Sequence, residues 1–268
     1  MTRSAGFGWR VGIFVSGLAI LVASGARADW KVYVAADFGI STSETETNGS
    51  FDTGTGVFDL DGMDNDSSPL LGGAVGIAIP MNELLPREWL LDLRLPDWPV
   101  RFELEGAGLR EYEFSTLGLN GTTFFTEVEV STFFFNTWVD IPVLSAYQPI
   151  QYLFGLGRQP RLRQILEPMS FYAGLGIGFS HLDFEGTDNL VELEDDFLEF
   201  AWNAGVGINY QLTDRVALAT GYRFVGVEEV GPDLGGSGVP AAQNAQLDFE
   251  QDIHEFRATI RVEVYDFL

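Results

Sequence analysis

The sequence predicts an all-β chain, with eight antiparallel strands closed up-and-down into a transmembrane β-barrel bearing long extracellular loops. Three observations carry this. Eight segments alternate apolar with small or charged residues at a period of two. A secretion address precedes them. Beyond it, no segment approaches the ~20 consecutive apolar residues of a spanning helix. Composition narrows the class further. The 268 residues include 31 Gly, 22 Phe and no Cys, so no disulfide framework or thiolate site exists. Lys and Arg number 15 against 39 Asp and Glu, a net charge of −24 that argues against the basic face nucleic acid requires. An apolar fraction of 46% argues against a disordered acidic chain.

Residues 1–28 have the pattern of a cleaved signal peptide. Arg3 and Arg10 form a positive start, Val11 to Ala23 is an uncharged run of 13, and Ala26-Arg27-Ala28 is a small-residue cleavage site. The run is too short to span a bilayer. Removal takes three arginines and no acid, which moves the charge from −24 to −27 and leaves 29–268 as the barrel domain. Export without cysteine fits a bacterial envelope protein.

The strands follow in order. Trp30, Val32, Val34, Ala36 and Phe38 alternate with Lys31, Tyr33, Ala35 and Asp37. Leu71, Gly73, Val75, Ile77 and Ile79 alternate with Gly72, Ala74, Gly76 and Ala78. Val100, Phe102 and Leu104 alternate with Arg101, Glu103 and Glu105. In the fourth strand, about 124–141, Val128 and Val130 share one parity and Phe133, Phe135, Val139 and Ile141 the other, which predicts a bulge near Ser131–Thr132. Phe171 to Phe179 alternates with glycines, and Phe200 to Tyr210 with Ala201, Asn203, Gly205, Gly207 and Asn209. A short turn over 211–215 leads to Val216, Leu218, Thr220, Tyr222 and Phe224. The eighth strand sets Phe256, Ala258, Ile260, Val262 and Val264 against Glu255, Arg257, Thr259, Arg261 and Glu263.

A soluble β-sandwich also alternates. Its bulky face would be the core and its other face would be water-exposed and charged. Here the second face is small in some strands and charged in others, which suits a narrow barrel where long side chains need small neighbours. The segments near 41–69, 115–123, 183–199 and 226–251 are polar, acidic connections on one edge. Those near 80–98, 142–170 and 211–215 lie on the edge of both termini, which is periplasmic in such barrels. Short helices are expected within 82–95 and 150–166, and Trp30, Trp89, Trp98, Trp138 and Trp202 at the membrane interfaces.

Val100 to Gly106, Phe171 to Phe179 and Ala201 to Tyr210, followed by Arg223, resemble strands of the small outer-membrane β-barrel family. That family includes OmpA-type transmembrane domains, opacity-like adhesins and porin-like surface antigens. The resemblance covers roughly 29–268 and implies an eight-stranded barrel in a Gram-negative outer membrane, without enzymatic activity or cofactor. It implies outer-membrane lipid, lipopolysaccharide and the barrel-assembly machinery as partners. Ile260, Val262 and Val264 fit the terminal pattern of the family, Asp266 breaks it, and Phe267 stands in for the closing aromatic.

The inward charges are the candidate site: Arg101, Glu103, Glu105, Arg223, Glu255, Arg257, Arg261 and Glu263, with Lys31 and Asp37 adjoining across the closing seam. One reading is a plug of mutually paired charges, since an unpaired buried charge is costly. The other is a narrow ion path. The acidic runs Asp59–Asp66 and Glu192–Asp196 lack the twelve-residue EF-hand frame and read as solvated surface. They offer a contact surface for an extracellular partner. Ser180, His181 and Asp183 form the sole local Ser/His/acid set, but adjacent strand residues point to opposite faces, and His254 stands apart. The expected role is structural or surface contact in envelope integrity or adhesion; the alternative is a small passive channel for ions or small solutes.

Overall fold

The computed structural model describes residues 30–52, 57–86, 88–89, 98–117, 123–146, 160–187, 192–230 and 246–264. The signal-peptide reading of 1–28 and the terminal reading of Phe267 lie outside them. Eight strands run in chain order: β1 (Lys31–Asp52), β2 (Val57–Pro80), β3 (Pro99–Leu117), β4 (Thr123–Pro142), β5 (Met169–Thr187), β6 (Glu192–Gln211), β7 (Val216–Val230) and β8 (Gln246–Glu263). Each pairs antiparallel with the next. β1 closes on β8 from Tyr33↔Glu263 to Ser50↔Gln246, so the sheet is a closed barrel. Among the described residues, three short helices, α1 (Met81–Leu84), α2 (Val143–Ala146) and α3 (Pro160–Leu166), lie in the connections of the edge that holds Lys31 and Glu263, here the lower edge. α1 and α3 fall within or beside the segments expected to hold helices. Trp30 Nε1 donates to Glu83 at 2.7 Å and pins α1 to the start of β1.

Strand length is where the structure departs most from the sequence reading. β1 has 22 residues and β2 has 24, whereas spanning the hydrocarbon takes about 9–11. Much of 41–69, 115–123, 183–199 and 226–251, read as connections, is strand continuing above the bilayer. Above the lipid the outward positions meet water, so the outer face loses its apolar residues while backbone pairing persists.

Burial alternates along every strand. On β8, Ile253, Glu255, Arg257, Arg261 and Glu263 are buried while Phe256, Ile260, Val262 and Val264 are exposed to lipid. The expected bulge at Ser131–Thr132 is absent. β4 pairs with β5 without a shift from Phe125↔Thr187 to Pro142↔Ser170. The extra residue lies instead on β3, between Ala107 and Arg110. Val128 and Val130 therefore point into the barrel along with Phe134, while Phe133 and Phe135 point out. Trp138, expected at an interface, is also inside, 5% exposed. Trp202 and Trp89 are outside, 45% and 58% exposed.

The β3 bulge places Leu109 at φ 60°, the left-handed region that a side chain disfavours. It also ends β2–β3 pairing at Leu71↔Gly108. Above that point side chains close the wall. Ser68 Oγ accepts from the Glu111 N–H at 2.9 Å, and Asp66 Oδ2 accepts from the Glu113 N–H at 2.8 Å. Leu109→Gly is expected to raise the urea midpoint of the folded barrel in micelles, by about 1 kcal/mol of relieved strain. A lowered midpoint would mean that the Leu109 side chain, not the bulge geometry, holds this wall together.

Candidate functional site

The lumen is filled in two layers. In the lower one lie buried charges supplied by alternate residues of β1, β3, β4, β7 and β8. Buried Arg101, Arg110, Arg223, Arg257 and Arg261, with Lys31, face buried Asp37, Glu103, Glu105, Asp140, Glu255 and Glu263. Six positive charges meet six negative ones. All eight residues singled out in the sequence are in this set.

The contacts cross the lumen. Arg223 Nη1 reaches Glu105 Oε1 at 2.7 Å and its Nε reaches Glu255 Oε2 at 2.6 Å. Arg257 Nη2 lies 2.9 Å from both Glu105 Oε1 and Asp37 Oδ2. Arg110 Nη2 meets Glu255 Oε1 at 2.9 Å and donates to Thr132 Oγ1 at 2.9 Å. Nearer the lower edge, Arg101 bridges Glu103 and Asp140, with Nε 2.8 Å from Asp140 Oδ2. Glu103 also accepts from Tyr33 at 2.6 Å and from Trp138 Nε1 at 2.8 Å. Arg261 lies over the Tyr33 ring at 5.2 Å, and Glu263 pairs with Lys31 at 3.1 Å. Asn136 donates to Glu105 at 2.8 Å, and Asn203 to Asn136 at 2.9 Å. Charge-assisted bonds of this kind satisfy groups that would otherwise be costly inside a narrow barrel. A cavity of about 40 Å³ remains among Asp37, Arg101, Glu105, Tyr172 and Arg257, room for a few waters.

Above the charges the lumen turns apolar. Tyr112, Phe114, Val128, Val130, Phe134, Leu182, Val225, Val227 and Ile253 form one cluster, none more than 6% exposed. Small residues make room for the large ones: a side chain at Gly207 or Gly221 would overlap the Tyr172 ring, and one at Gly76 the ring of Tyr33.

The sequence reading missed Arg110, Asp140 and the apolar layer. Arg110 has the parity opposite to Arg101, Glu103 and Glu105, so only a bulge between them brings all four inside. The run Gly106-Ala107-Gly108 was the available signal, since glycine in a strand often marks one.

The outer wall above the lipid band carries a second arrangement that was missed. Glu111, Glu129, Asp183 and Asp196 stand opposite one another across β3 to β6, and so do Glu113, Glu127, Glu185 and Glu194. These positions share the outward parity. Desolvation, then the facing Glu111, Glu185 and Glu113, pushes the Glu127 carboxyl above its usual range. Ser180 and His181 lie on opposite faces of the wall, as adjacent residues of a strand must. Ser180 is fully buried in the lumen, whereas His181 points outward with Nε2 3.8 Å from Asp196 Oδ2. His254 Nδ1 lies 2.6 Å from the Tyr222 hydroxyl. Of the carboxylates in the Asp59–Asp66 run, only Asp66 has a described side chain, and it closes the β2–β3 wall.

The sequence model of the family described as "Outer membrane protein beta-barrel domain" matches residues 12–252. No curated protein sequence matches the chain. Among solved structures it is similar to Neisserial surface protein A, 12% identical over 87% of this chain and 97% of that one, TM-score 0.40. It is also similar to Ail, the attachment invasion locus protein of Yersinia pestis, 13% identical over 85% and 97%, TM-score 0.37. The outer membrane protease OmpT from Escherichia coli is 8% identical over 90% and 100%, TM-score 0.42.

Arg223→Ala strands Glu105 and Glu255 in the lumen and is expected to lower unfolding stability by about 3–5 kcal/mol, read from urea titration in micelles. A loss under about 1 kcal/mol, the size of a surface pair, would show that the lumen is solvated instead. At Glu127 the folded chain holds a proton more tightly than the unfolded chain. The stability this brings is present below the ordinary carboxylate range and is lost as pH rises through the raised value. Glu127→Gln should therefore raise the midpoint at pH 7 and flatten its pH dependence; an unchanged profile would refute the repulsion.

Proposed function

The chain belongs to the outer membrane protein beta-barrel domain family, and from that premise we propose that it is a closed, non-conducting scaffold of the Gram-negative outer membrane that meets its surroundings through an acidic wall. The observation that carries this reading is the apolar layer across the lumen. Tyr112, Val128, Leu182, Val225 and Ile253 are buried there, from five of the eight strands. An ion crossing it would shed its hydration among packed apolar side chains, where the polar groups alongside are already engaged, the Tyr112 hydroxyl with Ser41 at 2.5 Å and Gln251 Nε2 with Ser43 at 2.8 Å; hydrophobic constrictions block conduction in this way. Below it, each arginine of the network is engaged by a carboxylate or an aromatic ring. Such charges support packing rather than a path.

The long-stranded edge faces outward from the cell and the helix-bearing edge faces the periplasm, as in barrels with short periplasmic turns. Glu111, Glu113, Glu127, Glu129, Asp183, Glu185 and Asp196 of β3 to β6 then stand just above the outer leaflet. Like charges set opposite each other destabilise a sheet, so their presence favours a role in contact. The partners this wall suits are cations at the lipopolysaccharide surface and a basic extracellular protein surface.

Single-channel recording in a planar bilayer tests the reading, with a heat-modifiable gel shift as proof of folding. The folded protein is expected to be electrically silent. Discrete, salt-dependent steps would overturn the closed scaffold and make Arg101, Arg223 and Arg257 part of a selectivity element.

A further inference from the structure

Basic residues are segregated in a way that neither the closed lumen nor the acidic wall explains. Beyond residue 28 the chain has twelve Lys and Arg. Six line the lumen: Lys31, Arg101, Arg110, Arg223, Arg257 and Arg261. The other six, Arg87, Arg94, Arg158, Arg161, Arg163 and Arg215, all fall in the three connections of the lower edge. None occurs in 42–86, 111–157, 164–214 or 224–256, so the strands above Arg110 carry no Lys or Arg, and Arg110 itself points inward.

Three of these arginines are held together on one arc. Arg161 and Arg163 are exposed on α3, and Arg215 is exposed in the β6–β7 turn. The two supports are tied to each other. The Gln211 N–H at the start of the turn donates to the carbonyl of Pro168, just after α3, at 2.9 Å. The Arg215 carbonyl accepts from the Glu263 N–H at 2.7 Å, which fixes the turn to β8. Exposed apolar residues flank the arginines: Ile165 on α3 is 55% exposed and Leu212 in the turn 52%. Directly above, Phe171, Tyr210 and Leu218 end the lipid-facing band on the same strands. Arginine beside exposed aliphatic side chains, at the level where the band ends, is the composition of a surface that sits in a headgroup layer.

We propose that the arc of Arg161, Arg163 and Arg215 binds anionic phospholipid headgroups of the periplasmic leaflet, with guanidinium groups on the lipid phosphate and Ile165 and Leu212 among the upper acyl carbons. Guanidinium matches phosphate by paired N–H donors and carries its charge at every physiological pH. The occupant is a lipid rather than a soluble phosphate because the apolar flank and the end of the band place it there.

Native mass spectrometry of the folded protein in zwitterionic detergent tests this by titration with phosphatidylglycerol and with phosphatidylcholine of the same acyl chains. Phosphatidylglycerol is expected to bind about ten-fold more tightly at low salt, with the preference shrinking several-fold as salt rises to roughly 0.5 M. Each arginine removed should shrink that preference by about two-fold, so Arg161→Gln/Arg163→Gln/Arg215→Gln should erase it. Glu127→Gln, on the opposite edge, should leave it unchanged. Equal binding of the two lipids, or a triple variant that keeps its preference, would overturn the proposal. So would lipid A held by these arginines in place of phosphatidylglycerol. If the triple variant fails to fold, Arg161→Gln/Arg163→Gln alters only α3, outside the barrel wall, and full retention of the preference there overturns the proposal equally.

Discussion

The pairing of β1 with β8 leaves no strand edge in lipid, and eight strands closed in this way enclose a space only wide enough for side chains. Both consequences propagate. Every outward position in the band must be apolar, and every inward position must be filled and satisfied. The glycines of β5, β6 and β7 answer the second demand, because Tyr172 and Trp138 occupy the room that their missing side chains leave. The charges answer it too. Glu105 receives Arg223, Arg257 and Asn136 at once, and Glu255 receives Arg110 and Arg223.

The interior is thus electrically neutral while the chain as a whole is strongly acidic. The surplus of carboxylates lies outside the lumen, much of it on the strands above the membrane, and the remaining positive charge lies on the lower rim. A barrel with this distribution has a polarity along its axis. The acidic end repels anions and suits cations at the cell surface, whereas the arginine-bearing end suits phosphate. The lumen contributes nothing to that polarity, which keeps the packing of the core independent of the charges that meet partners.

One extra residue on β3 links these features. Without it, Arg110 would share the outward parity of Leu104 and stand against lipid, and Glu111 would be inside. With it, Arg110 joins Glu255 and Thr132, Tyr112 and Phe114 enter the apolar layer, and Glu111 and Glu113 join the acidic wall. The same bulge interrupts β2–β3 pairing, which Ser68 and Asp66 complete with side-chain acceptors. A local irregularity therefore sets the content of both faces over the upper half of the strand.

Strand number, order and the lipid-facing band were legible from alternation alone, because hydrocarbon demands apolar residues at every second position and the signal repeats eight times. Arg101, Glu103 and Glu105 were legible as the opposite face for the same reason. Alternation separates two faces without saying which one is inside. Within the bilayer, lipid settles that question. Above it nothing in the local sequence does, so the parity of Val128 and Val130 predicts a bulge on β4 that the strand does not have. Only pairing across strands showed that the shift belongs to β3, that valines there point inward, and that polar segments continue as strand. Membrane depth is a property of register between strands, and register is a long-range contact that no window of a single strand contains.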